Sequence, residues 1–189
     1  MTAACQNIVL AGFMGTGKTT IGRRLADRLN LRFVDMDVVI ESREGCAISD
    51  IFRLKGEPHF RELEAKLARE LAAQTGQVIA TGGGVVLNPA NISAFSQTGL
   101  VVCLRATPET ILARVGRAVH RPLLETPDKE ARIRALLASR QPFYDALPVQ
   151  VETDGRSPES IVGEIVALYQ WQNDILKRTD GQDRPDSTS

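Results

Sequence analysis

Gly12-Phe13-Met14-Gly15-Thr16-Gly17-Lys18-Thr19 follows the apolar run 8–11 and opens a segment in which Ile21, Leu25 and Leu29 recur every four residues. The eight residues satisfy G-x-x-x-x-G-K-[ST], and a strand before with a helix after is the context that gives the pattern meaning. Glycines let backbone N–H groups converge on a phosphate without a Cβ in the way, and the helix N-terminus adds a partial positive charge. A chain of this length would match the pattern by chance roughly once in a hundred. The stretch is read as a nucleotide phosphate cradle, with Gly12, Gly15, Thr16, Gly17, Lys18, Thr19 and Thr20 around the phosphates. Lys18 can reach the β- and γ-oxygens of the nucleotide, and the Thr19 hydroxyl can ligate Mg²⁺.

Working outward, short β-rich runs alternate with segments of helical period. The runs are Asn7–Ala11, Arg32–Asp35, 78–80, 100–104 and 149–151. Phe60, Leu63, Leu67 and Leu71 mark one long helix, and Thr107-Pro108-Glu109 and Ser157-Pro158-Glu159 carry start signals for two more. Strands separated by helices predict a parallel sheet of five strands covered on both faces, a three-layer α/β/α fold. One domain spans 1–171, and the aperiodic polar stretch 172–189 is expected to be a disordered tail.

The 189 residues suit one well-buried core. Twenty-three basic residues balance 23 acidic ones, so no global field draws the chain to nucleic acid or an anionic membrane. No apolar run approaches the roughly 18 residues that span a bilayer. Three widely spaced cysteines, Cys5, Cys46 and Cys103, fit neither a disulfide framework nor a zinc site, and the reading is a cytoplasmic protein.

In a parallel sheet, ligands sit beyond the carboxyl ends of the strands. That rule places Asp35, Asp37 and the triplet Gly82, Gly83, Gly84 on the same rim as the phosphate cradle. Two readings of Asp37 stand side by side: a group near an acceptor hydroxyl, or the cap of the following helix. Arg61 and Glu64 lie one helical turn apart and can pair. Arg140 interrupts the stripe Ile133, Leu137, Tyr144, so its guanidinium points inward and calls for an anionic partner, in a ligand or in the protein. Arg114, Arg117 and Arg121 fall in an aperiodic segment with a glycine at 116, and residues about 115–127 read as a mobile lid that brings cations to the phosphates on closure.

Taken in order, these elements resemble the shikimate kinases. The resemblance rests on the cradle, the D-x-D Asp35–Asp37, G-E-x-x-F-R-x-x-E at 56–64, the glycine triplet, Arg121-Pro122-Leu123-Leu124, and Arg140 ahead of Pro142 and Tyr144. It implies a nucleoside monophosphate kinase-like fold with strand order 2-3-1-4-5. It also implies transfer of the γ-phosphate of MgATP to the 3-hydroxyl of shikimate. A monomer is expected, and the balanced charge and hydropathy already speak against a nucleic-acid or membrane partner. Residue by residue, Asp37, Arg61, Gly82, Gly83, Gly84 and Arg140 would line the shikimate pocket, with Glu64 orienting Arg61. Thr19 and Asp35 would serve Mg²⁺. Lys18, Asp37 and Arg121 would act on the transferring phosphate and acceptor, and Arg114 and Pro158 would flank the adenine. The alternatives are a gluconate or nucleoside monophosphate kinase of the same fold, or a non-catalytic nucleotide-binding regulator.

Overall fold

The computed structural model describes residues 6–115 and 129–182. Five strands, β1 (Asn7–Ala11), β2 (Arg32–Asp35), β3 (Gln77–Ala80), β4 (Gly99–Arg105) and β5 (Gln150–Glu152), pair in parallel in the order β2-β3-β1-β4-β5. The expected sheet and its order are both present. Every residue of β1 and β3 is buried, as the central strands of a doubly covered parallel sheet must be.

Alternation along β1 builds two cores. Ile8 and Leu10 face α1 (Lys18–Leu29) and α7 (Pro158–Gln182), packing with Leu25, Ile161 and Ile165. Val9 and Ala11 face the other layer, formed by α2 (Met36–Glu44), α3 (Ile48–Ala72), α4 (Pro89–Ser96), α5 (Pro108–Val115) and α6 (Lys129–Asp145). The two start signals hold: the Thr110 N–H donates to the Thr107 hydroxyl and the Ser160 N–H to the Ser157 hydroxyl.

Three features depart from or extend the sequence reading. α7 runs to Gln182 and so includes the first eleven residues, 172–182, of the stretch expected to be a disordered tail. Leu176 packs against the sheet-facing cluster, and tertiary contact of this kind outweighs weak local periodicity. α3 is broken at Gly56, whose φ of 81° and ψ of 167° are not helical. The break puts Pro58 in the first turn of the second segment, where its missing N–H costs no helical bond. Finally, the segment read as a lid lies outside the described residues after Val115, and Arg117 and Arg121 lie there too.

Candidate active site

Parallel register brings the ends of three strands to one rim. Asp35 sits opposite Ala80, and Leu10 sits opposite Ala80 on its other side, so Asp35, Thr81-Gly82 and Gly12 emerge together. α1 begins there with Gly17 in the left-handed region (φ 99°) and has no acidic residue in its first turn, leaving its dipole uncompensated for an anion. Gly12, at φ 135°, lies so close to β4 that a Cβ would overlap the Leu104 carbonyl oxygen. No other residue type fits that position.

The loop is held in shape by its own bonds. The buried Thr16 hydroxyl donates to the Phe13 carbonyl at 2.8 Å, and Lys18 Nζ donates to the carbonyls of Gly12 (2.8 Å) and Phe13 (2.9 Å). Thr20 is exposed on α1. Arg114, expected near the adenine, donates to the Gly15 carbonyl and to both the hydroxyl and the carbonyl of Thr153, each at 3.1 Å. It thus ties the cradle to the segment after β5. Pro158 opens α7 further along the same edge.

The Thr19 hydroxyl donates to Asp35 Oδ2 at 2.8 Å. Asp35 Oδ1 accepts the Asp37 N–H at 3.2 Å, so the cap of α2 is Asp35. The capping alternative for Asp37 is thereby corrected, and Asp37 stands in the first turn with its carboxylate toward the cleft. The hydroxyl–carboxylate pair suits a hard cation. Among the described residues no group of three or more His, Cys, Asp or Glu side chains is placed to hold a metal ion.

Beside the cradle lies a cleft of about 840 Å³, lined by Met14, Asp37, Phe52, Phe60, Arg61, Glu64, Arg140 and the three glycines. Every substrate-side residue expected from the sequence is in it. Arg61 Nη1 donates to Glu64 at 2.8 Å, and Nε and Nη2 both reach Glu57 Oε1 at 3.1 and 2.8 Å. The Glu57 contact was not foreseen, although its i,i+4 spacing to Arg61 was a readable signal. Glu64 is 1% exposed, and burial pushes its carboxyl above the usual range against the opposing pull of Arg61.

Glycine is required in the triplet by these neighbours. A Cβ on Gly82 would lie 2.7 Å from Glu64 Oε1 and 2.9 Å from Asp37 Oδ1, and one on Gly84 would overlap the Arg61 guanidinium. Arg140 is 7% exposed, and its Nε has no hydrogen-bond partner among the described residues; the same holds for Glu64 Oε1. A buried, unpaired guanidinium donor is costly unless an anion meets it. The cleft therefore fits a small carboxylate, set against a loop built for phosphate.

The shikimate kinase family model matches residues 14–170. This chain belongs to the shikimate kinase family. A shikimate kinase of Symbiobacterium thermophilum is 48% identical over 167 residues, spanning 87% of this chain and 96% of its own. Another, of Pelotomaculum thermopropionicum, is 44% identical over 170 residues, 90% of this chain and 99% of that one. The solved structure of the Acinetobacter baumannii shikimate kinase in complex with shikimate aligns at a TM-score of 0.83 and 37% identity, over 88% of this chain and 93% of that one. A gluconokinase of Sinorhizobium meliloti aligns at a TM-score of 0.60 but 18% identity, which shows the shared fold alone. No described helix is long and apolar enough to cross a membrane.

Proposed function

We propose that this shikimate kinase family member transfers the γ-phosphate of ATP to the 3-hydroxyl of shikimate. The observation that carries the reading is the pair Arg61 and Arg140 converging on a glycine triplet beside the phosphate cradle, with a buried Arg140 donor left for a carboxylate. Relatives of the same name at 41–48% identity over most of the chain support it.

In this reading Arg61 and Arg140 bind the shikimate carboxylate, with geometry that lysine cannot copy. Glu64 and Glu57 hold Arg61 in place. Asp37 orients the acceptor hydroxyl in line and takes its proton. Gly12, Gly15, Thr16, Gly17, Lys18, Thr19 and Thr20 cradle the nucleotide phosphates, while Arg114 and Pro158 border the base. Thr19 and Asp35 would hold Mg²⁺, which when bound would neutralise charge on the phosphate oxygens. Lys18 and Arg121 stabilise the charge of the transferring group, and a lid at about 115–127 excludes water. The reading carries with it a cytoplasmic monomer.

The test is ADP release with MgATP against shikimate, gluconate, AMP and no acceptor. Turnover that depends on shikimate alone is expected. Turnover on gluconate or AMP would keep the phosphate chemistry and discard the pocket assignment. A folded, ATP-binding protein without turnover would favour the regulatory alternative.

A further inference from the structure

Tyr144 is 3% exposed, on the face of α6 that carries Arg140 one turn earlier. Its hydroxyl donates to the Gly83 carbonyl at 2.6 Å, across 61 residues of sequence. Gly83 is the middle of the triplet, and its Cα faces both halves of the site. A Cβ built there would lie 3.6 Å from Arg140 Nη1, 3.7 Å from the Gly12 carbonyl oxygen and 3.7 Å from the Met14 amide. The peptide that Tyr144 grips thus sits between a cleft arginine and the phosphate loop.

Among the described residues, Tyr144 is the α6 side chain that hydrogen-bonds this turn. Gly82 and Gly84 are bounded by Asp37, Glu64 and Arg61, which reach them from α2 and α3. Three adjacent glycines have large conformational freedom, and two local bonds close the turn, from the Val85 N–H to the Gly82 carbonyl at 3.2 Å and from the Leu87 N–H to the Gly84 carbonyl at 3.0 Å. The phenol fits its task. It is deeply buried, which drives its ionisation well above the ordinary tyrosine range, and Arg140 opposes that rise by charge and hydrogen bonding. The hydroxyl therefore stays protonated as a donor to Gly83 while facing the Arg140 guanidinium.

We infer that Tyr144 is a positioning residue for the acceptor side of the site: its hydroxyl fixes the Gly83 peptide and the Arg140 guanidinium relative to each other. It is not among the residues lining the cleft and acts through those two groups. The inference rests on reading the cleft as the shikimate pocket.

The experiment is Tyr144→Phe, which keeps the ring in the core and removes only the hydroxyl. Steady-state kinetics on wild type and variant give both KM values and kcat, and thermal unfolding reports the fold separately. The expected result is a shikimate KM raised about three- to tenfold, the range expected for one buried hydrogen bond, with the MgATP KM and kcat within about twofold. In ¹⁵N-glycine spectra of the free protein, the triplet amides should shift while that of Gly163, in α7 on the other face of the sheet, does not. A shikimate KM that stays within about twofold overturns the inference, whatever happens to the melting temperature. So does an equal rise in both KM values, which would mark general loosening of the core. Wild-type protein that ignores shikimate would sink the proposed function itself, and this inference with it, so the two failures are told apart by the wild-type arm.

Discussion

The Thr19 hydroxyl lies 2.8 Å from Asp35 Oδ2, a contact that joins the first turn of α1 to the end of β2. The same aspartate accepts the Asp37 N–H and so starts α2. One side chain thereby joins the first turn of α1 to the start of α2, which in the proposed reading are the cation side of the cradle and the residue next to the acceptor.

These two duties separate by substitution. Asparagine caps helices about as well as aspartate, whereas alanine loses the cap at about 1 kcal/mol. Asp35→Asn should therefore melt near the wild type, yet need about 10- to 100-fold more Mg²⁺ for half-maximal activity. Asp35→Ala should show the same Mg²⁺ defect and a lowered melting temperature. A Mg²⁺ titration of ADP release, paired with thermal unfolding, checks both. An unchanged Mg²⁺ requirement in both variants would remove Asp35 from the metal environment.

Glu64 gives a prediction in pH. Burial raises its carboxyl above the range it has in the unfolded chain, with the Asp37 charge adding to the rise and Arg61 opposing it. The native state then binds the proton more readily than the unfolded state, so its stabilising share is complete below the unfolded value and fades as pH climbs through the native one. Wild type should accordingly lose stability relative to Glu64→Gln as pH rises from the ordinary glutamate range toward neutrality. Denaturant midpoints of the two proteins at stepped pH are the measurement. A wild type that gains on the variant with rising pH would mean that Arg61 outweighs burial.

Much of this architecture was legible from local pattern. The cradle, the five strands and the two proline-led helix starts each depend on neighbours within a few residues. Arg61 with Glu64 was readable for the same reason, and Arg140 because a charge in an apolar stripe must point somewhere. What escaped were relations between elements far apart in the chain. The bond from Tyr144 to Gly83 and the grip of Arg114 on Gly15 require knowing which strand ends share a rim. The capping of α2 by Asp35 escaped differently, since two aspartates two residues apart offer equivalent local signals. The helix beyond Trp171 was missed because its support comes from Leu176 against the sheet layer, with polar residues between.

Removing Arg140 tests the carboxylate assignment most directly. The cost of leaving the ligand carboxylate unpaired in a desolvated pocket is about 2–5 kcal/mol. Arg140→Ala should therefore raise the shikimate KM about thirtyfold to several thousandfold, with the MgATP KM nearly unchanged. Arg140→Lys keeps the charge without the planar fork, and should recover only part of the loss. An Arg140→Ala enzyme with wild-type shikimate KM would refute the assignment.

Gly84 offers a way to move Arg61 without mutating it. Its backbone, at φ −100° and ψ −2°, suits any residue, so alanine brings no conformational strain. The added methyl would nevertheless overlap the Arg61 guanidinium, which must swing away from Glu64 to make room. Gly84→Ala should thus raise the shikimate KM about thirtyfold, the lower end of the range for losing a charged contact, and spare the MgATP KM. Gly45→Ala is the informative contrast. A Cβ there meets open space, but φ is +68°, so the cost of about 1 kcal/mol should fall on stability alone. If Gly84→Ala instead behaves like Gly45→Ala, with a lowered melting temperature and an unchanged shikimate KM, then Arg61 has room to bind the carboxylate from a second position. The triplet would then be a packing feature and not a mould for the arginine.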